Sequence, residues 1–191
     1  TPPRLHGFLV INKPAGWTSF DVVARVRRLV GVRKVGHAGT LDPAATGVLP
    51  VAVGHATRVL EYLSATDKTY VAEVTFGVET DSHDRDGDVI ATRDASFLTR
   101  ERIEEALAGF RGEIMQIPPM HAALKVKGQR LYDLVRRGEV IEREPRPIVI
   151  NELTLLDWQP PVATLLVDCS KGTYIRALAR DLGAETGAGA Y

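Results

Sequence analysis

A chain of 191 residues with 45% hydrophobic and 25% charged side chains has the composition of a folded globular protein and excludes a disordered or fibrous one. Its 24 basic and 24 acidic residues cancel to a formal net charge of zero, so a nucleic acid would have to be held by local clusters and not by bulk positive charge. No apolar run approaches the roughly 18 residues of a bilayer span, and Thr1-Pro2-Pro3-Arg4 lacks the apolar stretch of a secretion signal, so a cytoplasmic protein with no membrane association is expected.

In chain order, Gly7-Phe8-Leu9-Val10-Ile11-Asn12-Lys13 reads as a strand ended by Pro14-Ala15-Gly16. Thr18 then caps a helix with Val22, Val23, Val26, Leu29 and Val30 at three- and four-residue steps, stopped by Gly31. Its arginines, Arg25, Arg27 and Arg28, turn outward and with Arg33 and Lys34 form a basic cluster suited to RNA phosphates. Val35 to Pro50 reads as a long loop feeding a strand over Leu49 to Val53, followed by a short helix over Ala56 to Leu63.

Lys68 to Phe76 alternates as a half-buried strand, and a hairpin through Asp84-Arg85-Asp86-Gly87-Asp88 to Val89-Ile90-Ala91 is expected. Thr99 caps a helix with Ile103, Ala106, Leu107 and Phe110 on one face, closed by Gly109 and Gly112, and a second helix is expected over Leu131 to Arg137. Ile148 to Leu156 and Val162 to Cys169 read as strands, before a helix with Ile175, Leu178, Ala179 and Leu182 on one face. Cys169, the only cysteine, is read as a buried thiol. The irregular order of strands and helices favours an α+β fold, a mixed but largely antiparallel central sheet flanked by helices, in one domain over residues 1–191 with an inserted helical lobe around 97–140.

Two stretches could carry chemistry. In Gly36-His37-Ala38-Gly39-Thr40-Leu41-Asp42-Pro43-Ala44-Ala45-Thr46-Gly47-Val48-Leu49, three glycines and a proline set an unusual backbone path around one carboxylate, although Asp before Pro also starts ordinary turns. Ser170-Lys171-Gly172-Thr173-Tyr174-Ile175-Arg176 joins a strand to a helix N-terminus, where Arg176 could clamp a carboxylate or phosphate or simply be solvated. The acidic turn at 84–88 has Ser82 and Arg93 where calcium ligands would stand, so it reads as a solvated hairpin turn, and no metal site is expected. Lys125, Lys127 and Arg130 offer a second basic patch.

From about Gly7 to Ala190 the sequence resembles the TruB family of tRNA pseudouridine synthases. Four motifs in order carry the resemblance: Asn12-Lys13-Pro14-Ala15-Gly16-Trp17-Thr18-Ser19, the Gly36 to Leu49 loop with its Gly-Thr-Leu-Asp-Pro core, Lys68-Thr69-Tyr70, and Ser170 to Arg176. The resemblance implies a catalytic Asp42, a Tyr70 stacked on the flipped uracil, and an Arg176 that pairs with the aspartate. It makes His37 the histidine that enters the T loop, and Lys13 and Tyr174 residues that line or support the pocket. It also implies that no metal or cofactor is needed, that the T arm of tRNA is the partner, and that no obligate protein partner exists. Members of the family continue past Gly187-Ala188-Gly189-Ala190 into a Leu-Arg-Arg segment and a small RNA-binding domain, so this chain is expected to be a shortened member. His121 stands where the family has an aromatic residue.

Overall fold

The computed structural model describes residues 5–120, 125–126, 129–130 and 142–191. The expected helix over Leu131 to Arg137, His121, and the side chains of the Lys125, Lys127 and Arg130 patch lie outside the described residues. The chain divides into two compact units, Thr1–Thr66 and Asp67–Tyr191.

The first unit is a three-stranded antiparallel sheet covered by a helix. Its strands are β1 (Gly7–Lys13), β2 (Val35–His37) and β3 (Gly47–Val53), in the order β1-β3-β2. Helix α1 (Ser19–Val30) starts with a full capping box between Thr18 and Asp21. It ends at Gly31, whose φ of 65° is the left-handed conformation that lets its N–H reach the Arg27 carbonyl at 3.1 Å. Val22, Val23 and Val26 of α1 pack on Val35, Leu49, Val51 and Val53, each buried aliphatic contributing about 1.5–3 kcal/mol. The stretch read as one loop from Val35 to Pro50 is therefore two strand segments around a short connection, residues 38–46. Three residues of β2 are too few to show a period in the sequence. A 3₁₀ turn, Gly54–Val59, and helix α2 (Leu60–Ser64) stand where one short helix was expected.

The second unit is built on a four-stranded antiparallel sheet of order β4-β11-β10-β7: β4 (Lys68–Thr75), β7 (Gly112–Gln116), β10 (Arg146–Gln159) and β11 (Val162–Cys169). Along β11, Ala163, Leu165, Val167 and Cys169 point inward in strict alternation. In β10 the inward set is Ile148 and Ile150, then Leu153 and Leu155; a register shift between Ile150 and Glu152 supplies the extra residue that changes parity. Helices α3 (Arg100–Ala108) and α4 (Ile175–Thr186) lay Ile103, Leu107, Leu178, Ala179 and Leu182 into the same core.

The acidic stretch does turn a hairpin, but between β5 (Val78–Thr80) and β6 (Val89–Thr92), a separate pair, because β4 takes β11 as its partner. Two short strands, β8 (Lys125–Val126) and β9 (Gln129–Arg130), pair antiparallel. β7 was not foreseen: it is an edge strand with Met115 exposed, and its weak alternation reads as a continuation of the glycine-bounded turn. Among the described residues every strand pair is antiparallel, which with helices α1 to α4 makes the α+β class that the irregular element order implied.

Candidate active site

The first unit holds Asp42, His37 and Lys13 around the 38–46 connection. Lys13, at the end of β1, is fully buried, an unusual place for an ammonium. Its Nζ donates to the carbonyls of Trp17 at 2.6 Å, Pro14 at 2.9 Å and Pro43 at 3.2 Å, which uses all three of its donors on backbone. Burial pulls its pKa below the ordinary value, and the carboxylates of Asp42 and Asp21 work in the opposite direction. Ser19, also buried, accepts from the Leu41 N–H at 3.0 Å and donates to the Leu41 carbonyl at 3.3 Å. Gly16 N–H donates to the Pro43 carbonyl at 2.8 Å. The residues on both sides of Asp42 are thus tied to the Asn12 to Ser19 segment, while Asp42 itself is only half-buried.

His37 closes β2 opposite Val51, with its Nδ1 against the Gly39 carbonyl. The next residue, Ala38, donates its N–H to the Pro50 carbonyl at 2.9 Å. Arg27, expected to face outward, instead donates to the carbonyls of Arg33 at 2.9 Å and Val35 at 3.3 Å and closes the turn after α1. Arg25 and Arg28 do line an open groove with Trp17 and Asp21.

The second unit holds Tyr70, Tyr174 and Arg176. Tyr70 lies opposite Val167 and continues the inward row of Ala72 and Val74, half-buried against the core. Tyr174 is the N-cap of α4 and makes no side-chain cap bond there. Its backbone is held by Gln116, which is buried: Gln116 Oε1 accepts from the Tyr174 N–H at 2.9 Å and Nε2 donates to the Tyr174 carbonyl at 3.1 Å. Arg176 Nη1 donates to the Ser82 carbonyl at 3.3 Å, and its Nε lies 3.8 Å from Asp84 Oδ2.

Three of these supports were not singled out in the sequence. Asp84 belongs to the turn read as solvated, yet Ser82 Oγ donates to its carboxylate at 2.6 Å and Arg176 stands beside it. Ser19 sits inside a motif that had already been noticed. Gln116 has no local signal, since its partner is 58 residues away. Among the described residues, no group of three or more His, Cys, Asp or Glu side chains is arranged to hold a metal ion, and no helix is long and apolar enough to cross a membrane.

Residues 27–175 match the family model described as TruB family pseudouridylate synthase (N terminal domain). Proteins named tRNA pseudouridine synthase B are similar to nearly the whole chain: that of Dehalococcoides mccartyi (strain CBDB1) is 52% identical over 98% of it, and that of Symbiobacterium thermophilum 56% identical over 94%. The chain spans 62% and 61% of those relatives' own lengths, about three fifths. Among solved structures, that titled "Crystal Structure of a Cbf5-Nop10-Gar1 Complex" overlays 98% of this chain and 46% of its counterpart with a TM-score of 0.75 at 30% identity. With the family model covering well over half of its residues and a fold shared at that level, the chain belongs to the TruB family of pseudouridylate synthases.

Proposed function

We propose that this chain is the catalytic part of an enzyme that isomerises the T-loop uridine of tRNA to pseudouridine in the cytoplasm, with Asp42 as its essential carboxylate and no protein partner required. The observation that carries this reading is the Asp42 connection. A half-exposed carboxylate stands in a loop whose neighbours are fixed by the buried Lys13 and Ser19, in a chain about half identical to proteins named tRNA pseudouridine synthase B.

The reaction breaks the ribose C1′–N1 bond, turns the uracil while it is held, and rejoins it through C5, with no redox step. A single carboxylate can act as nucleophile or take a proton from the sugar. The base must leave its stack, which costs a few kcal/mol, and stacking on Tyr70 returns roughly 1–3 kcal/mol. Arg176 keeps the site's carboxylate ionised, His37 occupies the vacated base position, and Lys13 and Tyr174 support the pocket. No metal or cofactor enters this chemistry.

The structural neighbours include a protein solved as part of a multi-protein complex, which favours an RNA-guided enzyme as a second reading. The higher identity to the bacterial relatives supports the partner-free one. The deciding experiment maps pseudouridine in an isolated T-arm hairpin after incubation with the full-length protein and with its Asp42→Asn variant. Conversion by the first and not the second is expected. Conversion only when guide RNA and partner proteins are added would establish the RNA-guided reading, and binding without conversion would leave a noncatalytic RNA-binding or tRNA-folding module.

A further inference from the structure

Arg143 precedes β10 and is half-buried. Its Nη1 donates to the Pro118 carbonyl at 2.8 Å, while its Nε is buried without a hydrogen-bond partner. The adjacent carbonyl, of Ile117, accepts from Arg180 Nη2 at 2.9 Å. Arg180 lies one helical turn beyond Arg176 on α4, and Arg176 reaches the Ser82 carbonyl at 3.3 Å. All three guanidiniums act on the ring of the next residue, His83, whose φ of 60° is unusual for a residue with a side chain. Arg143 and Arg180 thus hold adjacent carbonyls of one segment, and Arg176 holds the turn before His83.

Two of them have carboxylates. Asp84 stands 3.8 Å from Arg176 and Asp181 stands 2.7 Å from Arg180. Among the described residues, none is paired with Arg143, whose pKa is lowered by burial and then by Arg180. Burial, followed by Arg180, Arg143 and Arg176, also holds His83 below its usual range, so at neutral pH it adds no charge. Asp84 and Asp181 thus offset charge on Arg176 and Arg180, and neither reaches Arg143. A partly desolvated guanidinium with an unused N–H and no counter-ion is costly unless an anion is supplied. Its planar fork suits the oxygens of a phosphate group, and Arg180, with 23% of its side chain exposed, keeps the cluster open to solvent.

We propose that Arg143, flanked by Arg180 and Arg176, binds one phosphodiester group of the substrate RNA. The proposal rests on the reading of this chain as an RNA-modifying enzyme. It gives Arg143 the task of holding the strand, separate from the chemistry at the base.

The test uses the full-length protein, its Arg143→Gln and Arg143→Lys variants, and a T-arm hairpin. Affinity is measured from about 50 to 300 mM salt, with thermal melting as the folding control. Arg143→Gln is expected to bind about tenfold more weakly. Its slope of log affinity against log salt should be smaller by roughly 0.7–0.9, the share of one phosphate. Arg143→Lys should keep most of that slope. A scan of single methylphosphonate linkages should find one position that weakens the wild type and leaves Arg143→Gln unaffected, a coupling that a purely structural arginine would not show. If Arg143→Gln fails to fold, the scan is read on Arg143→Lys, which must share the wild type's sensitive linkage with a smaller effect. A folded Arg143→Gln with wild-type affinity and slope, or no shared linkage, overturns the site. A wild type that isomerises the hairpin while its Gln variant binds equally well fails this inference alone; a wild type that neither binds nor isomerises fails the functional reading and the site with it.

Discussion

The ammonium of Lys13 and the carbonyl of Pro43, thirty residues apart in sequence, meet at 3.2 Å and fasten the Asp42 connection to the end of β1. A buried cation is kept here because it satisfies three backbone carbonyls at once, two of them in the Pro14 to Trp17 turn.

Replacing Lys13 by Met preserves much of the volume and strips its donor from the carbonyls of Pro14 and Trp17, while that of Pro43 keeps the Gly16 N–H. A stability loss of about 2–4 kcal/mol is expected, measured by urea unfolding, together with loss of uridine isomerisation. Wild-type stability in Lys13→Met would show that the ammonium does not hold the loop.

Asp84 and Arg176 make a second testable pair. Asp84→Asn removes the charge beside the guanidinium and keeps the shape of the turn. At 3.8 Å the contact is an ion pair and not a hydrogen bond, and a loss of about 1 kcal/mol corresponds to roughly fivefold in rate, so single-turnover isomerisation should slow by about that factor while the melting temperature changes little. An unchanged rate would mean that the pair only shapes the hairpin.

Gln116 bridges both backbone groups of Tyr174 at the start of α4. Gln116→Leu leaves the half-buried Tyr174 N–H without its partner, at about 1–3 kcal/mol, while the Tyr174 carbonyl keeps the Leu178 N–H at 3.1 Å. Chemical denaturation should register that loss, and amide exchange should quicken at Tyr174; protection equal to wild type at that amide would contradict the latch.

Hydrogen bonds from Thr69 at 2.6 Å and then Asn151 at 2.8 Å hold the Asp168 carboxyl below its ordinary 3.8. A depressed folded pKa means the unfolded chain takes up this proton first as pH falls. The stabilisation is complete above pH 3.8 and disappears as pH drops through the lower folded value. Urea midpoints of wild type and Asp168→Asn should therefore differ at neutral pH and converge in strong acid. A gap that stays constant across that range would rule out the carboxylate as its source.

Much of this protein was legible as sequence because its signals are local. Thr18, the valines of α1 and Gly31 specify a helix with both its ends, and the alternation in β11 assigns an inward face residue by residue. The Gly-Thr-Leu-Asp-Pro core singles out Asp42 as the candidate carboxylate from local sequence alone. Tertiary structure decided what depends on partners distant in the chain. The pairing of β4 with β11 displaced the expected hairpin, and the edge position of β7 hid its period. Asp84 passed from a solvated turn to the neighbour of an arginine 92 residues later, and Gln116 gained a role no local pattern announces. The physical reason is that periodicity and caps act within a few residues, whereas burial of a charge or an amide is paid for by whichever group the fold brings alongside.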